Sequence, residues 1–312
     1  MGILSIPLNI FNIIIMSRQR NLSPYTYLTV LAVCDLLTGV LFVYNGLLRS
    51  PSLLRIHRNI RLLGYHTQLP AYFLRSWLST SASYIVNALG VDRLIVVAFP
   101  MQRTRWCTPK IARIVSCILC LSGFIPNFHL LLRYNMIWIP DPQTGLFMPL
   151  WALSSVGRDP LVKDVTSYGK FILRQVIPLF LMIFTSSWTM KCIIRSMRFR
   201  QRSASATKKQ NVPCLGLTLV VIAVFMVTNF PLALYALDQS INGIRPPPTS
   251  LTTAVFFALL EILPWCNAFA NFFIYTLMND QFKRDFIALL TCARRQENSE
   301  KQTQLSDLSC TF

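Results

Sequence analysis

Val91-Asp92-Arg93-Leu94-Ile95-Val96-Val97-Ala98-Phe99-Pro100 closes a long apolar run, and its reading decides the rest of the chain. An acid and a base side by side at the end of a membrane helix are costly to keep dry. They belong where the helix meets cytoplasmic water, with the arginine able to reach a neighbouring helix or a partner. The composition supplies the membrane. Of 312 residues, 53% are hydrophobic and 13% charged, and the mean hydropathy is +0.47; a soluble domain carries about a quarter charged residues. Apolar stretches near the roughly 20 residues that cross a bilayer recur throughout. The formal charge of +18 invites a nucleic-acid partner. That reading is rejected, because the basic residues sit mainly in short linkers between apolar spans, as membrane topology places them. The nine cysteines show no metal spacing: Cys117-Ile118-Leu119-Cys120 lies inside an apolar run with no second pair.

The pattern predicts an all-α membrane protein, a seven-transmembrane helix bundle with a short amphipathic eighth helix. Spans are expected near 2–16, 25–49, 68–97, 110–132, 169–194, 213–238 and 250–277. The first is short for a membrane helix, which leaves a truncated start open. Arg18 and Arg20 mark a cytoplasmic loop, and Arg195–Arg202 with Lys208-Lys209 is the strongest inside marker, suited equally to a partner and to acidic lipid headgroups. Residues 50–67 read as an outer loop with Arg55, Arg58 and Arg61, a local departure from the inside preference of basic residues. Residues 133–168, with Pro140, Pro142, Gly145 and Pro149, read as an ordered outer lid. Phe282-Lys283-Arg284-Asp285-Phe286 is expected as the eighth helix, its phenylalanines in the membrane interface. A domain 1–291 and a disordered cytoplasmic tail 292–312 complete the division.

Several positions inside the spans carry chemistry. Asp35 lies mid-span, where an unpaired carboxylate is so costly that it must face the bundle interior. Arg75 lies eighteen residues, five turns, before Arg93, which puts both on roughly one face at opposite ends of the helix. Pro231 removes a backbone hydrogen bond and permits a kink in the sixth span.

Asp92-Arg93-Leu94 resembles the Asp-Arg-Tyr signature of rhodopsin-like G-protein-coupled receptors, and other motifs follow in that family's order. Leu31-Ala32-Val33-Cys34-Asp35 matches Leu-Ala-x-x-Asp. Phe225-Met226-Val227-Thr228-Asn229-Phe230-Pro231 resembles Phe-x-x-Cys-Trp-x-Pro, with Asn229 in place of tryptophan. Asn271-Phe272-Phe273-Ile274-Tyr275 resembles Asn-Pro-x-x-Tyr, with Phe272 in place of proline, and Pro126 and Pro178 stand at customary positions. Within the family the flavour is that of invertebrate FMRFamide-type peptide receptors.

The resemblance implies a multi-pass plasma-membrane receptor, taking an extracellular peptide or other anionic ligand and activating a heterotrimeric G protein. Asp92 would hold Arg93 at rest, and Arg93 would swing toward the G protein on activation, with Phe225, Pro231, Asn271 and Tyr275 as switch positions. Asp35, Asn267 and Asn271 match the family's sodium pocket, although Ala82 replaces its serine. Asn211 stands where many relatives carry an acid that locks the arginine, so elevated basal signalling is expected. Cys292 is a candidate for palmitoylation. The family's outer disulfide has no counterpart, since Gln68 occupies the usual cysteine position, and the long loop must be held by packing or be mobile.

Arg75, Glu261, Arg174 and Asn229 are the expected ligand-side residues, with an Arg75–Glu261 ion pair across the cavity. Arginine at position 75, where amine receptors carry aspartate, argues against an amine. The outer arginines favour an anionic ligand, which conflicts with the arginine-rich amidated peptides of the subfamily. Two alternatives stay open: a non-signalling relative of such receptors, or a transporter. A transporter would predict similar halves, and no internal repeat is evident. An enzyme is not expected, because His57, His66 and His129 do not cluster with cysteines or carboxylates.

Overall fold

Apolar runs that lack strong breakers fold as helices, since a helix satisfies its own backbone polar groups where water cannot. The computed structural model describes residues 2–19, 22–48, 58–140, 147–202, 215–242 and 251–291. In order come α1 (Gly2–Arg18), α2 (Ser23–Leu48), α3 (Arg58–Ala98) and α4 (Pro109–Ser122). The chain beyond α4 stays helical through Ile125–Asn127 and His129–Arg133. The rod α5 comprises Pro160–Phe171, a π-helical turn Ile172–Val176 and Ile177–Arg202. Then follow α6 (Leu215–Asn242), α7 (Leu251–Met278) and a helix over 280–291, α8. Among the described residues, α2, α3, α5, α6 and the stretch Pro109–Arg133 contain spans long and apolar enough to cross a membrane; Gly2–Arg18 and Cys266–Met278 are shorter apolar helices.

Two starts differ from the sequence reading, each for a local reason. α3 begins at Arg58 rather than near 68, turning most of the expected outer loop into helix. The extension leans on α2, where Tyr44 Oη donates to Thr67 Oγ1 at 2.7 Å. α5 begins at Pro160 rather than near 169. Asp159 accepts a hydrogen bond from the Leu161 amide at 2.8 Å, with proline at the first helical position, a strong start signal.

The outer lid folds as an antiparallel hairpin of β1 (Tyr134–Pro140) and β2 (Phe147–Leu153), with Tyr134 opposite Leu153 and Pro140 opposite Phe147. Packing and hydrogen bonds hold it. Trp151 Nε1 donates to the Tyr65 carbonyl at 2.9 Å, His66 meets Trp138 edge to face, and Ser154 Oγ donates to the Leu132 carbonyl at 2.8 Å. Cys34, Cys107, Cys117, Cys120, Cys192 and Cys266 are free thiols.

The interior is a continuous apolar cluster that includes Leu28, Leu31, Ile85, Leu89, Met182, Ile222, Phe225 and Tyr275. Ile114, Ile118 and Leu121 on α4, with Phe180, Ile183 and Phe184 on α5, point outward, the arrangement that suits lipid. At Gly123 a β-carbon would stand 2.6 Å from Ser81 Oγ, so glycine is what lets α3 and the end of α4 approach closely.

The phenylalanines of α8 correct the sequence reading. Phe282 is fully buried against Phe272 and Tyr275, and Phe286 meets Phe272 at 5.2 Å and Phe11 at 5.3 Å. Phe272, standing where the motif has proline, contributes a ring to this packing alongside Tyr275 and Phe11. Asn279 starts the helix by accepting from the Gln281 and Phe282 amides. Gln19 Nε2 donates to Asp285 Oδ2 at 2.9 Å, which ties α8 to the end of α1.

Candidate functional site

At the C-terminal end of α3, Asp92 and Arg93 are almost wholly buried and paired: Arg93 Nε donates to Asp92 Oδ2 at 3.1 Å and Nη2 donates to the same oxygen. The pair neutralises charge that would be expensive alone. Beside it lies a cavity of about 250 Å³ whose lining includes Arg93, Arg103, Thr104, Cys107, Thr108 and Ser23. Cys107 Sγ donates to the Asp92 carbonyl at 3.6 Å. Burial, reinforced by the Asp92 charge, pushes its thiol up to about 12. At neutral pH it is therefore a capped thiol and a poor nucleophile.

Midway through the bundle, Asn271 Nδ2 donates to Asp35 Oδ2 at 3.0 Å, both residues being buried. Asn267 lies one turn earlier on α7, buried as well. Asn267 Oδ1, Asn271 Oδ1 and Tyr275 Oη are enclosed without a hydrogen-bond partner among the described residues. Buried polar atoms are normally satisfied, so orphaned oxygens grouped near a carboxylate suit a hard cation that prefers oxygen donors. Ala82 contributes none. Asn9 of α1 braces the same helix, donating to the Ala268 carbonyl at 2.7 Å.

In α6, Pro231 cannot supply an amide to the preceding turn. Thr228 Oγ1 donates to the Val224 carbonyl at 2.9 Å, and Asn229 Nδ2 donates to the Phe225 carbonyl at 2.9 Å. Asn229, expected on the ligand side, directs its amide into its own helix.

Toward the outer end, Arg174 reaches from α5 to α3: Nη1 donates to Ser76 Oγ at 2.8 Å and Nη2 to Ser79 Oγ at 3.3 Å. Ser76 in turn donates to Asn127 Oδ1 at 2.6 Å, and Asn127 Nδ2 donates to Thr80 Oγ1 at 3.1 Å and to the Gly123 carbonyl at 2.8 Å. Three helical segments are thereby linked. Arg75 lies over the Tyr72 ring with Cζ 5.4 Å from the centroid, and Lys170 Nζ is 5.9 Å from the same centroid. The Glu261 side chain, and with it the expected pair to Arg75, lies outside the described residues, as do Arg55, Asn211 and Cys292.

The model of the 7 transmembrane receptor (rhodopsin family) matches residues 8–275. The chain belongs to the rhodopsin family of seven-transmembrane receptors. It is similar to the FMRFamide receptor of Drosophila melanogaster, 26% identical over 300 residues, covering 92% of this chain and 52% of that one. It is also similar to the somatostatin receptor type 2 of Mus musculus, 23% identical over 237 residues (72% and 59% of the two chains). The melanin-concentrating hormone receptor 1 of Mus musculus is 23% identical over 240 residues (73% and 61%). The chain thus spans about half to three fifths of the length of these relatives. Members of this family are receptors and not enzymes, and the chain is a multi-pass membrane protein.

In this rhodopsin-family frame, the structure brings Asp92 against Arg93, and Asp35 against Asn271 with Asn267 and Tyr275 buried on the same helix. Arg174 lies against α3. Sequence reasoning missed Ser76, Asn127, Tyr72 and Lys170. Serines and asparagines in an apolar run carry no period that marks them as partners. The nearest signal for Lys170 was its placement four residues before Arg174, inside a span, where like charges are out of place.

Proposed function

We propose that the chain is a plasma-membrane receptor for an extracellular peptide that activates a heterotrimeric G protein. The observation carrying this reading is the buried Asp92–Arg93 pair beside a cytoplasmic cavity, within a rhodopsin-family chain whose relatives include three peptide receptors by name. At rest Asp92 holds Arg93 laterally. Ligand-driven movement of the helices frees Arg93 toward the cavity, where an α-subunit docks. Phe225, buried in the core within two turns of Pro231, and Tyr275, buried with a hydroxyl that has no partner among the described residues, are the residues whose packing changes when α6 and α7 move. Palmitoylation of Cys292 and contact of the basic segment Arg195–Arg202 with acidic lipid would hold the cytoplasmic side to the membrane.

The polar centre would hold sodium through Asp35, Asn267 and Asn271, which supply the hard oxygen donors the ion requires. In the sodium form the thermal midpoint should exceed that in choline, and Asp35→Asn should abolish the difference. Equal midpoints in both salts for the unaltered receptor would remove sodium from the account.

Nucleotide exchange in membranes bearing the chain tests the main reading, run against a peptide panel with Arg93→Ala as control. A response lost in Arg93→Ala is expected, together with basal exchange above that of mock membranes, because Asn211 supplies no acid to lock the arginine. Silence from well-folded protein at the cell surface would favour the non-signalling alternative, to which Asn229 and Phe272 in the altered motifs lend support.

A further inference from the structure

Lys170 and Arg174 stand one turn apart near the outer end of α5, within a stretch apolar enough to cross a membrane. Like charges at this spacing repel on a helix, and ionisable groups within spans are retained only where they are paired or used. Among the described residues, neither makes an ion pair with a carboxylate. Arg174 is fixed by two neutral hydroxyls, from Ser76 and Ser79. Lys170 rests near the Tyr72 ring, which Arg75 also approaches. Arg133 adds a further cation close enough to act on Lys170.

The backbone shows the same bias. Arg174 lies in the π-helical turn, where the Ile177 amide bonds to the Ile172 carbonyl, and the Leu173 carbonyl instead accepts from Tyr84 Oη of α3 at 3.0 Å. Such turns carry a local cost and mark functional positions in helices. Here the turn aims a guanidinium at α3, so that Arg174, Lys170 and Tyr72 converge from two helices.

We infer that Lys170, beside the ring of Tyr72, and Arg174, on Ser76 and Ser79, form a subsite for an anionic group of the ligand, a carboxylate from an acidic side chain or a free C-terminus. This rests on the receptor reading and sharpens it. The favoured ligand is an acidic or free-acid peptide rather than an amidated arginine peptide of the kind named for the Drosophila relative. Two cations provide opposite charge to a carboxylate, and Arg174 can present a paired N–H edge to its two oxygens. The Tyr72 ring beside Lys170 offers apolar surface to an adjacent apolar side chain of the ligand.

The test uses the full chain purified in detergent and two synthetic tetrapeptide sets of matched apolar residues. One set carries glutamate and a free C-terminal carboxylate; the other carries arginine and a C-terminal amide. Thermal midpoints are measured for the unaltered receptor, Lys170→Met and Arg174→Gln. The acidic set should raise the midpoint of the unaltered receptor and do so with about tenfold weaker apparent affinity, or not at all, in either variant. A shift from the amidated set instead, or an acidic shift unchanged in both variants, overturns the subsite. If neither set acts, the ligand-free midpoints decide. Lys170→Met at or above the unaltered receptor supports a lysine held for an absent anion, and a lowered midpoint overturns it by showing a structural role. Binding read this way needs no G protein, so a failure of coupling is distinguishable from a failure of the subsite.

Discussion

At the cytoplasmic end the buried Arg93 has Asp92 as its neighbour in sequence and in space, whereas at the outer end Lys170 and Arg174 share a helical turn and, among the described residues, no carboxylate. Both ends carry cations inside a low-dielectric bundle, where a bare charge is costly. At one end the chain supplies the counter-charge itself. At the other, neutral hydroxyls and an aromatic ring orient the cations, with no carboxylate among the described residues. A self-paired charge stabilises a resting state; an unneutralised one makes stability depend on what arrives from outside.

The largest expected effect breaks the cytoplasmic side of this contrast. Asp92→Ala removes the carboxylate that neutralises the buried Arg93 guanidinium and should lower stability, by an amount on the order of 3–5 kcal/mol, seen as a reduced thermal midpoint. An unchanged midpoint would mean the pair contributes nothing at rest. Next comes Phe272→Ala, which removes the ring that joins Phe282 and Phe286 of α8 to the bundle. A loss of about 3 kcal/mol is expected, with faster amide exchange confined to 280–291 and its contacts. Protection there equal to that of the unaltered chain would show that α8 docks without Phe272. Smaller again is Ser76→Ala, which takes a hydroxyl from both Arg174 and Asn127 and should cost about 1–3 kcal/mol. Measured beside Arg174→Ala in a double-mutant cycle, it should show coupling. Simple additivity would mean that α5 is not held to α3 through this serine.

The helical character and order of the fold were legible in the sequence because long apolar runs leave little alternative in a membrane. The starts of α3 and α5 were not. The segment from Arg58 is polar enough to pass for loop, and the Asp159-Pro160 start lay in what read as an outer lid. Within the site, Asp35, Asp92, Arg93 and Asn271 were visible because charged and amide groups inside spans are rare and their spacing matched a family motif. Ser76 and Asn127 were invisible for the opposite reason: small polar residues acquire meaning only when tertiary packing sets them 2.6 Å apart. Phe272 was seen as a defect in a motif, although packing makes it the anchor of α8. Asn229, expected on the ligand side, donates to the Phe225 carbonyl, in the stretch of α6 where Pro231 leaves the backbone short of an amide.

Ligand-free thermal midpoints of Asp92→Ala and Lys170→Met, measured side by side in the full chain, test the contrast between the two ends most directly. The account predicts opposite outcomes: a clear fall for Asp92→Ala, and a midpoint at or above that of the unaltered chain for Lys170→Met. A fall in both would contradict it, placing Lys170 among the structural charges and leaving the outer end no less self-sufficient than the inner.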